Sequence, residues 1–189
     1  VRGTDHVGNT ESESITVRFQ PPIGSRIETV SGSHQRAPIR TNLPDPLIVR
    51  LSDDQGLPIP NKPVVFRVVQ GDGVLAPGTD KAGQGYLTTT DAQGLAQATF
   101  QLGARAGVGN HHVRAAAVGM ENQVLFYASA DPKPGDKLSI HSGNNQRGAI
   151  GMPLPAPLPA PLIVTVTDEG ANVVEGAQVE YTVQTGTGK

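Results

Sequence analysis

Two histidines stand side by side at His111 and His112, directly after Asn110. Imidazoles are common metal ligands and the usual acid–base groups near neutral pH. Adjacent residues on a strand point to opposite faces, so this pair cannot chelate one ion unless the backbone bends. No cysteine or nearby carboxylate completes a ligand set. Both rings are expected as surface polar residues. Asp53-Asp54 and Asp168-Glu169 pair carboxylates, which suits calcium. Calcium takes roughly six to eight oxygens, however, and the spaced Asp-x-Asp-x-Asp-Gly loop is absent. The better account of both pairs is turn formation, with Asp bonding nearby backbone amides. A nucleophile needs a base and an orienting group around it. Ser and His occur without any Gly-x-Ser-x-Gly elbow. Gly83-x-Gly85 lacks a third glycine and a following helix, so it makes no phosphate cradle. The expectation is a chain that is not an enzyme, with no catalytic residue, no cofactor-binding residue, no metal ligand and no cofactor.

The elements that would position these groups are short strands. Apolar residues recur at a spacing of two, and helix-length windows are cut by Gly or Pro. There are 23 Gly and 16 Pro, a content that in some chains signals disorder, but strand-like runs lie between the turn signals. With aromatic residues at 4%, each core must be thin and built from Val, Leu, Ile and Ala. The formal net charge is −2 with both signs interspersed, so no basic stripe exists to draw nucleic acid or anionic lipid. The apolar runs are far shorter than a membrane span, which argues against membrane insertion by this segment. Cysteine is absent, which excludes disulfides and thiolate metal sites. The first residue is Val and no apolar signal-peptide core follows, so the chain reads as a processed or excised piece.

One stretch is written twice. Ser31-Gly32-Ser33-His34-Gln35-Arg36 returns as Ser142-Gly143-Asn144-Asn145-Gln146-Arg147, 111 residues on (142 − 31). Pro46-Leu47-Ile48-Val49 returns as Pro161-Leu162-Ile163-Val164, 115 residues on (161 − 46). Val64, Phe66 and Val68 return as Val179, Tyr181 and Val183. The added residues fall where Pro-Ala-Pro-Leu is written twice, at 155–162. A repeat of this length is a whole small domain. Residues 153–161 suit a polyproline ligand, but edge-strand protection by proline is the stronger account.

In chain order, residues 1–22 read as the closing strands of a preceding domain. Val1-Arg2-Gly3 and Ile15-Thr16-Val17-Arg18-Phe19 would pair across the polar loop 8–14. Pro21-Pro22 and Asp131-Pro132-Lys133-Pro134-Gly135 are extended, semi-rigid junctions. The complete domain spans 24–132. Strands are expected at 27–30 and 86–90. Inward faces are expected at Leu47, Val49 and Leu51; at Val64, Phe66 and Val68; at Ala96, Ala98, Phe100 and Leu102; at Val113, Ala115 and Ala117; and at Val124, Phe126 and Ala128. Asp53-Asp54-Gln55-Gly56 and Asp91-Ala92-Gln93-Gly94 are turns, and 74–85 is a Gly-rich loop. Residues 136–189 open the next domain and stop just after its third main strand. A half sandwich cannot bury its inward face, so this part should not be stable alone.

Pro46-Leu47-x-Val49-x-Leu51-x-Asp53, Gly56, Pro58, Val64-x-Phe66-x-Val68 and Gly71-x-Gly73 resemble the first half of a bacterial Ig-like domain of group 1. Thr90-Asp91-Ala92-Gln93-Gly94-Leu95-Ala96, Phe100-x-Leu102-Gly103, Gly107 and Val113-x-Ala115 resemble its second half. The resemblance covers the complete domain and both partial ones. Two departures are the Pro-Ala-Pro-Leu duplication and the His111-His112 pair. The resemblance implies an all-β fold of tandem immunoglobulin-like β-sandwiches, as in the extracellular arms of invasin- and intimin-like adhesins. The implied role is a structural spacer, stalk or fibre-forming module of an extracellular bacterial surface protein. Its partners would be neighbouring Ig-like domains of the same array. The chain ends are read as a window cut from a longer array. The competing reading has the ends complement one another between molecules and build a homopolymer filament. An alternative role is recognition of a glycan or host receptor through the end loops 74–85 and 103–112, with Tyr86 and Phe100 near them. An accessory domain of a secreted hydrolase is a third reading.

Overall fold

Two β-layers enclose the core, and the chain's alternation sets which side chains enter it. The computed structural model describes residues 2–4, 10–12, 24–147 and 160–185. Among them the chain is all-β, with no helix. A hairpin pairs β1 (Arg2–Thr4) with β2 (Thr10–Ser12). The strand partner of β1 thus lies inside the stretch expected to be loop, because the register Gly3↔Glu11 closes a tighter turn. Residues 15–19, expected to be that partner, and Pro21-Pro22 lie outside the described residues.

The strands that follow are β3 (Arg26–Ser31), β4 (Gln35–Pro38), β5 (Leu47–Ser52), β6 (Pro63–Gln70), β7 (Val74–Leu75), β8 (Gly85–Thr89), β9 (Leu95–Ala98), β10 (Phe100–Gln101), β11 (Gly107–Ala117) and β12 (Val124–Asp131). One layer has the order β4-β12-β11-β6-β8, and the other has β3-β5-β9. Strands β10 and β7 form a small third sheet. Leu47, Val49, Leu51, Val64, Phe66, Ala96, Ala98, Phe100, Leu102, Val113, Ala115, Phe126 and Ala128 are all buried. Period-two patterning therefore placed these inward faces, because one side of each strand is dry and the other wet. Phe66 and Phe126 meet with ring centroids 6.2 Å apart. All residues of the buried cluster lie between Ile27 and Ala130.

Strand β4 has no hydrophobic alternation to betray it. It exists because the chain leaving β3 crosses to the other layer and runs parallel to β12, with Gln35 opposite Ala128. The crossing needs left-handed backbone at Gly32 (φ 93) and His34 (φ 62). Gly32 is obligatory there, since a Cβ would strike the Pro46 carbonyl and sit 2.8 Å from the Leu47 Cα. Gln35 locks the crossing: its Nε2 donates to Gly32 O at 2.7 Å and Asp45 O at 2.9 Å, and its Oε1 accepts from Asp45 N at 2.8 Å.

The same unit recurs. Strands β13 (Lys137–Ser142) and β14 (Ile163–Thr167) pair as β3 and β5 do, with Leu138 opposite Val166 where Ile27 is opposite Leu51. Gln146 donates to Gly143 O at 2.8 Å and Ala160 O at 2.7 Å, and accepts from Ala160 N at 2.7 Å. Gly143 (φ 88) and Asn145 (φ 57) repeat the left-handed pair. The third main strand expected through Val179, Tyr181 and Val183 is not formed: no ladder runs through these residues. In the first copy β6 is held between β11 and β8, and no counterparts of those strands are among the described residues.

Candidate functional site

Among the described residues, Asx turns at Asp53, Asp91 and Asp168 tie the sheet ends. Asp53 Oδ1 accepts from Gln55 N at 3.0 Å and Leu57 N at 2.8 Å. Asp91 Oδ1 does the same for Gln93 N and Leu95 N, both at 2.9 Å. Asp168 Oδ1 does so for Gly170 N and Asn172 N, both at 2.9 Å. These carboxylates are turn-formers, as expected from their place before Gly56 and Gly94, whose φ values are 80 and 73. Asp168 is fully buried and its second oxygen takes Lys133 N at 3.1 Å. Burial opposes its charge, yet these N–H donors hold its carboxyl below the usual range. A carboxylate so occupied by donors has little left to offer a cation. Among the described residues no cluster of three or more His, Cys, Asp or Glu is placed to bind a metal.

The histidine pair divides across the strand. His112 faces outward, its ring edge on Tyr127 at 4.7 Å between centroids, while His34 stacks on Tyr127 at 5.5 Å. His111 is not the surface residue expected; it is 1% exposed. The alternation that sends His112 out sends His111 in, toward Phe100, whose ring lies 6.2 Å away. Gly71 (φ 89) lets the chain pass over the imidazole, because a Cβ there would sit 2.7 Å from His111 Cδ2. His111 Nε2 accepts from Gly103 N at 3.0 Å, so the neutral ring carries its proton on Nδ1, 2.9 Å from Asn110 Oδ1. Asp72 Oδ1 stands 3.5 Å from Nε2, and Asp72 Oδ2 accepts from Ala104 N at 2.9 Å. Burial pushes the imidazole below its ordinary value; the Asp72 carboxylate pulls the other way, and His112 adds to the lowering. The histidine is a buried hydrogen-bond acceptor that holds the Gly103 amide. A period-two reading through Val113 and Ala115 would have found it, had polarity not argued for the surface.

The two end loops differ from expectation. Most of 103–112 is strand β11, and 74–85 contains β7, whose Leu75 bonds Gly83 in both directions. Phe100 is buried and Tyr86 packs against the core, so neither is an exposed platform. Thr90 is buried with a purpose: its Oγ1 donates to Ile59 O at 2.7 Å and accepts from Lys62 N at 2.9 Å. The proline-rich stretch 153–161 lies almost wholly outside the described residues.

An open apolar cleft of about 450 Å³ lies on the second copy, lined by Leu138, Ile140, Leu162, Val164, Val179 and Tyr181. Their first-copy counterparts are Ile27, Thr29, Leu47, Val49, Val64 and Phe66, all but Thr29 buried in the first copy's core.

No helix among the described residues is long and apolar enough to cross a membrane. No family model matches the chain, and no curated protein matches it. Among solved structures it is similar to domains 4–9 of the surface layer protein SbsC, at 10% identity and a TM-score of 0.36. That similarity covers 92% of this chain, which spans 31% of the length of the other.

Proposed function

We propose that this chain is a non-catalytic structural spacer, a run of tandem immunoglobulin-like sandwiches in an extracellular bacterial surface protein. One observation carries the reading: the strand pair, the left-handed crossing, the glutamine lock and the Asx turn of the first copy recur bond for bond in the second. A unit repeated with its scaffold contacts intact serves to be strung in series. Partners under this reading are neighbouring modules of the same array.

Single-molecule pulling on the 189-residue chain, run beside a glycan and host-matrix binding survey, tests it. Residues 24–132 should unfold in one cooperative event, releasing roughly 360–390 Å of chain at about 3.3–3.6 Å per residue. The survey should give no saturable ligand. Saturable glycan binding, lost on replacing loop 76–82, would overturn the spacer reading in favour of ligand recognition.

A further inference from the structure

Among the described residues, a turn of the second copy, 168–172, hydrogen-bonds to the first. Asn172 Nδ2 donates to Ala104 O at 2.8 Å, and Asn172 Oδ1 accepts from Ala106 N at 2.9 Å. One side-chain amide thus satisfies a backbone acceptor and a backbone donor of the preceding copy, two residues apart. The amide is itself aimed, because its Nδ2 also lies 3.0 Å and 3.1 Å from the two Asp168 carboxylate oxygens. Gly170 packs on the same loop. A Cβ on it would strike the Ala104 carbonyl and lie 2.9 Å from Ile39 Cδ1. Gly170 does not have a left-handed φ, so glycine stands there for close approach and not for backbone shape. Around this contact Lys133 Nζ donates to Glu169 at 2.8 Å, and Lys133 N binds Asp168.

The first copy supplies the comparison. Its Asx turn has the same bonds, but Gln55 stands at the position of Gly170 and Leu57 at that of Asn172. Leu57 is 56% exposed. The turn therefore needs neither Gly nor Asn at these places to form. What they add in the second copy is the contact with 104–106.

We infer that the turn 168–172 is a docking latch that reads the 104–106 backbone of the preceding copy, with Gly170 and Asn172 matching this module to that neighbour. The joint is fixed by side-chain chemistry, and the two modules are not interchangeable at it. The seat is prepared from within the first copy: Gly103 N is held by His111 and Ala104 N by Asp72, which leaves Ala104 O and Ala106 N pointing at the latch. The inference deepens the spacer reading, and its mechanical meaning rests on that reading.

Amide hydrogen exchange on the full chain tests the latch without force or ligand. The Ala106 amide is bonded to Asn172, whereas the Ala104 amide is bonded within the first copy, so the second serves as internal control. Asn172→Leu and Gly170→Gln each install the residue the first copy already carries in the same turn. Ala106 should be protected in the native chain and lose about tenfold or more of that protection in either variant. Ala104 and the backbone amide of position 172 should keep theirs. An unprotected Ala106 in the native chain, or equal protection in both variants, overturns the latch. Should Asn172→Leu disturb its own turn, Gly170→Gln decides, since it keeps the asparagine while its Cβ would meet both the Ala104 carbonyl and, at 2.7 Å, Asn172 Nδ2, breaking the seat from the other side. Failure here would leave the pulling and binding results untouched.

Discussion

Acidification strikes the His111 pocket first. In the neutral ring Nε2 accepts the Gly103 N–H and Nδ1 donates to Asn110. A second proton would set a donor against the Gly103 donor, and Asp72 Oδ1 at 3.5 Å is too far for a well-formed replacement. Burial accordingly holds the folded-state value below the ordinary 6.5, with Asp72 opposing and His112 assisting. In the unfolded chain the ring takes its proton near 6.5. Between that value and the lower folded one, the unfolded state holds one more proton. Stability is therefore fully present above about pH 6.5 and falls as the pH falls. The loss ends below the folded value, where both states are charged. A single proton limits the slope to about 1.4 kcal/mol per pH unit. The Asp72, Asp131 and Asp168 carboxyls are all held below their usual range, so their contributions are lost only below about pH 4, outside this window. Urea unfolding followed by circular dichroism at steps from about pH 7.5 to about pH 5 reads the slope. His111→Gln should lower stability at the upper pH by about 1–3 kcal/mol and flatten the slope across the window. The same slope in wild type and variant would refute the assignment of His111 as the buried titrating group.

Phe66, fully buried against Phe126, should cost about 3–5 kcal/mol on replacement by Ala; a loss under about 1 kcal/mol in urea would mean the strand faces are inverted. Asn122 clamps the start of β3, with Ile27 N donating to its Oδ1 at 3.0 Å and its Nδ2 donating to Ile27 O at 2.7 Å. Asn122→Ala should cost about 1–2 kcal/mol and raise exchange at the Ile27 amide, and an unchanged Ile27 exchange rate counts against the clamp. Residues 24–132 expressed alone should give a well-dispersed amide NMR spectrum, whereas 136–189 alone should not, since β13 is exposed along its whole length; dispersion in the second fragment would overturn the proposed boundaries.

Much of the architecture was legible because a strand with one dry face must alternate. Leu47 to Leu51, Val64 to Val68 and Val113 to Ala117 needed only a period of two. The Asx turns were legible because Asp followed by Gly bonds its own neighbouring amides, whatever surrounds it. The repeat was legible as text. Elements defined by a distant partner were hidden. Strand β4 is a strand because β12 lies beside it, and residues 179–183 alternate well yet pair with no strand among the described residues.

The histidines mark the boundary between the two kinds of information. From the sequence alone came the rule that His111 and His112 cannot share a ligand, because local backbone geometry dictates opposite faces. Val113 and Ala115 already marked the inward face, but that Gly71 and the Gly103 amide wait there for an imidazole was decided by packing. The joint divides in the same way. Asp168 builds its turn from contacts within a few residues, so its role follows from spelling. Asn172 and Gly170 acquire theirs from a loop 66–68 residues away along the chain, and hydrogen bonds of that separation exist only once the fold has brought the two copies together.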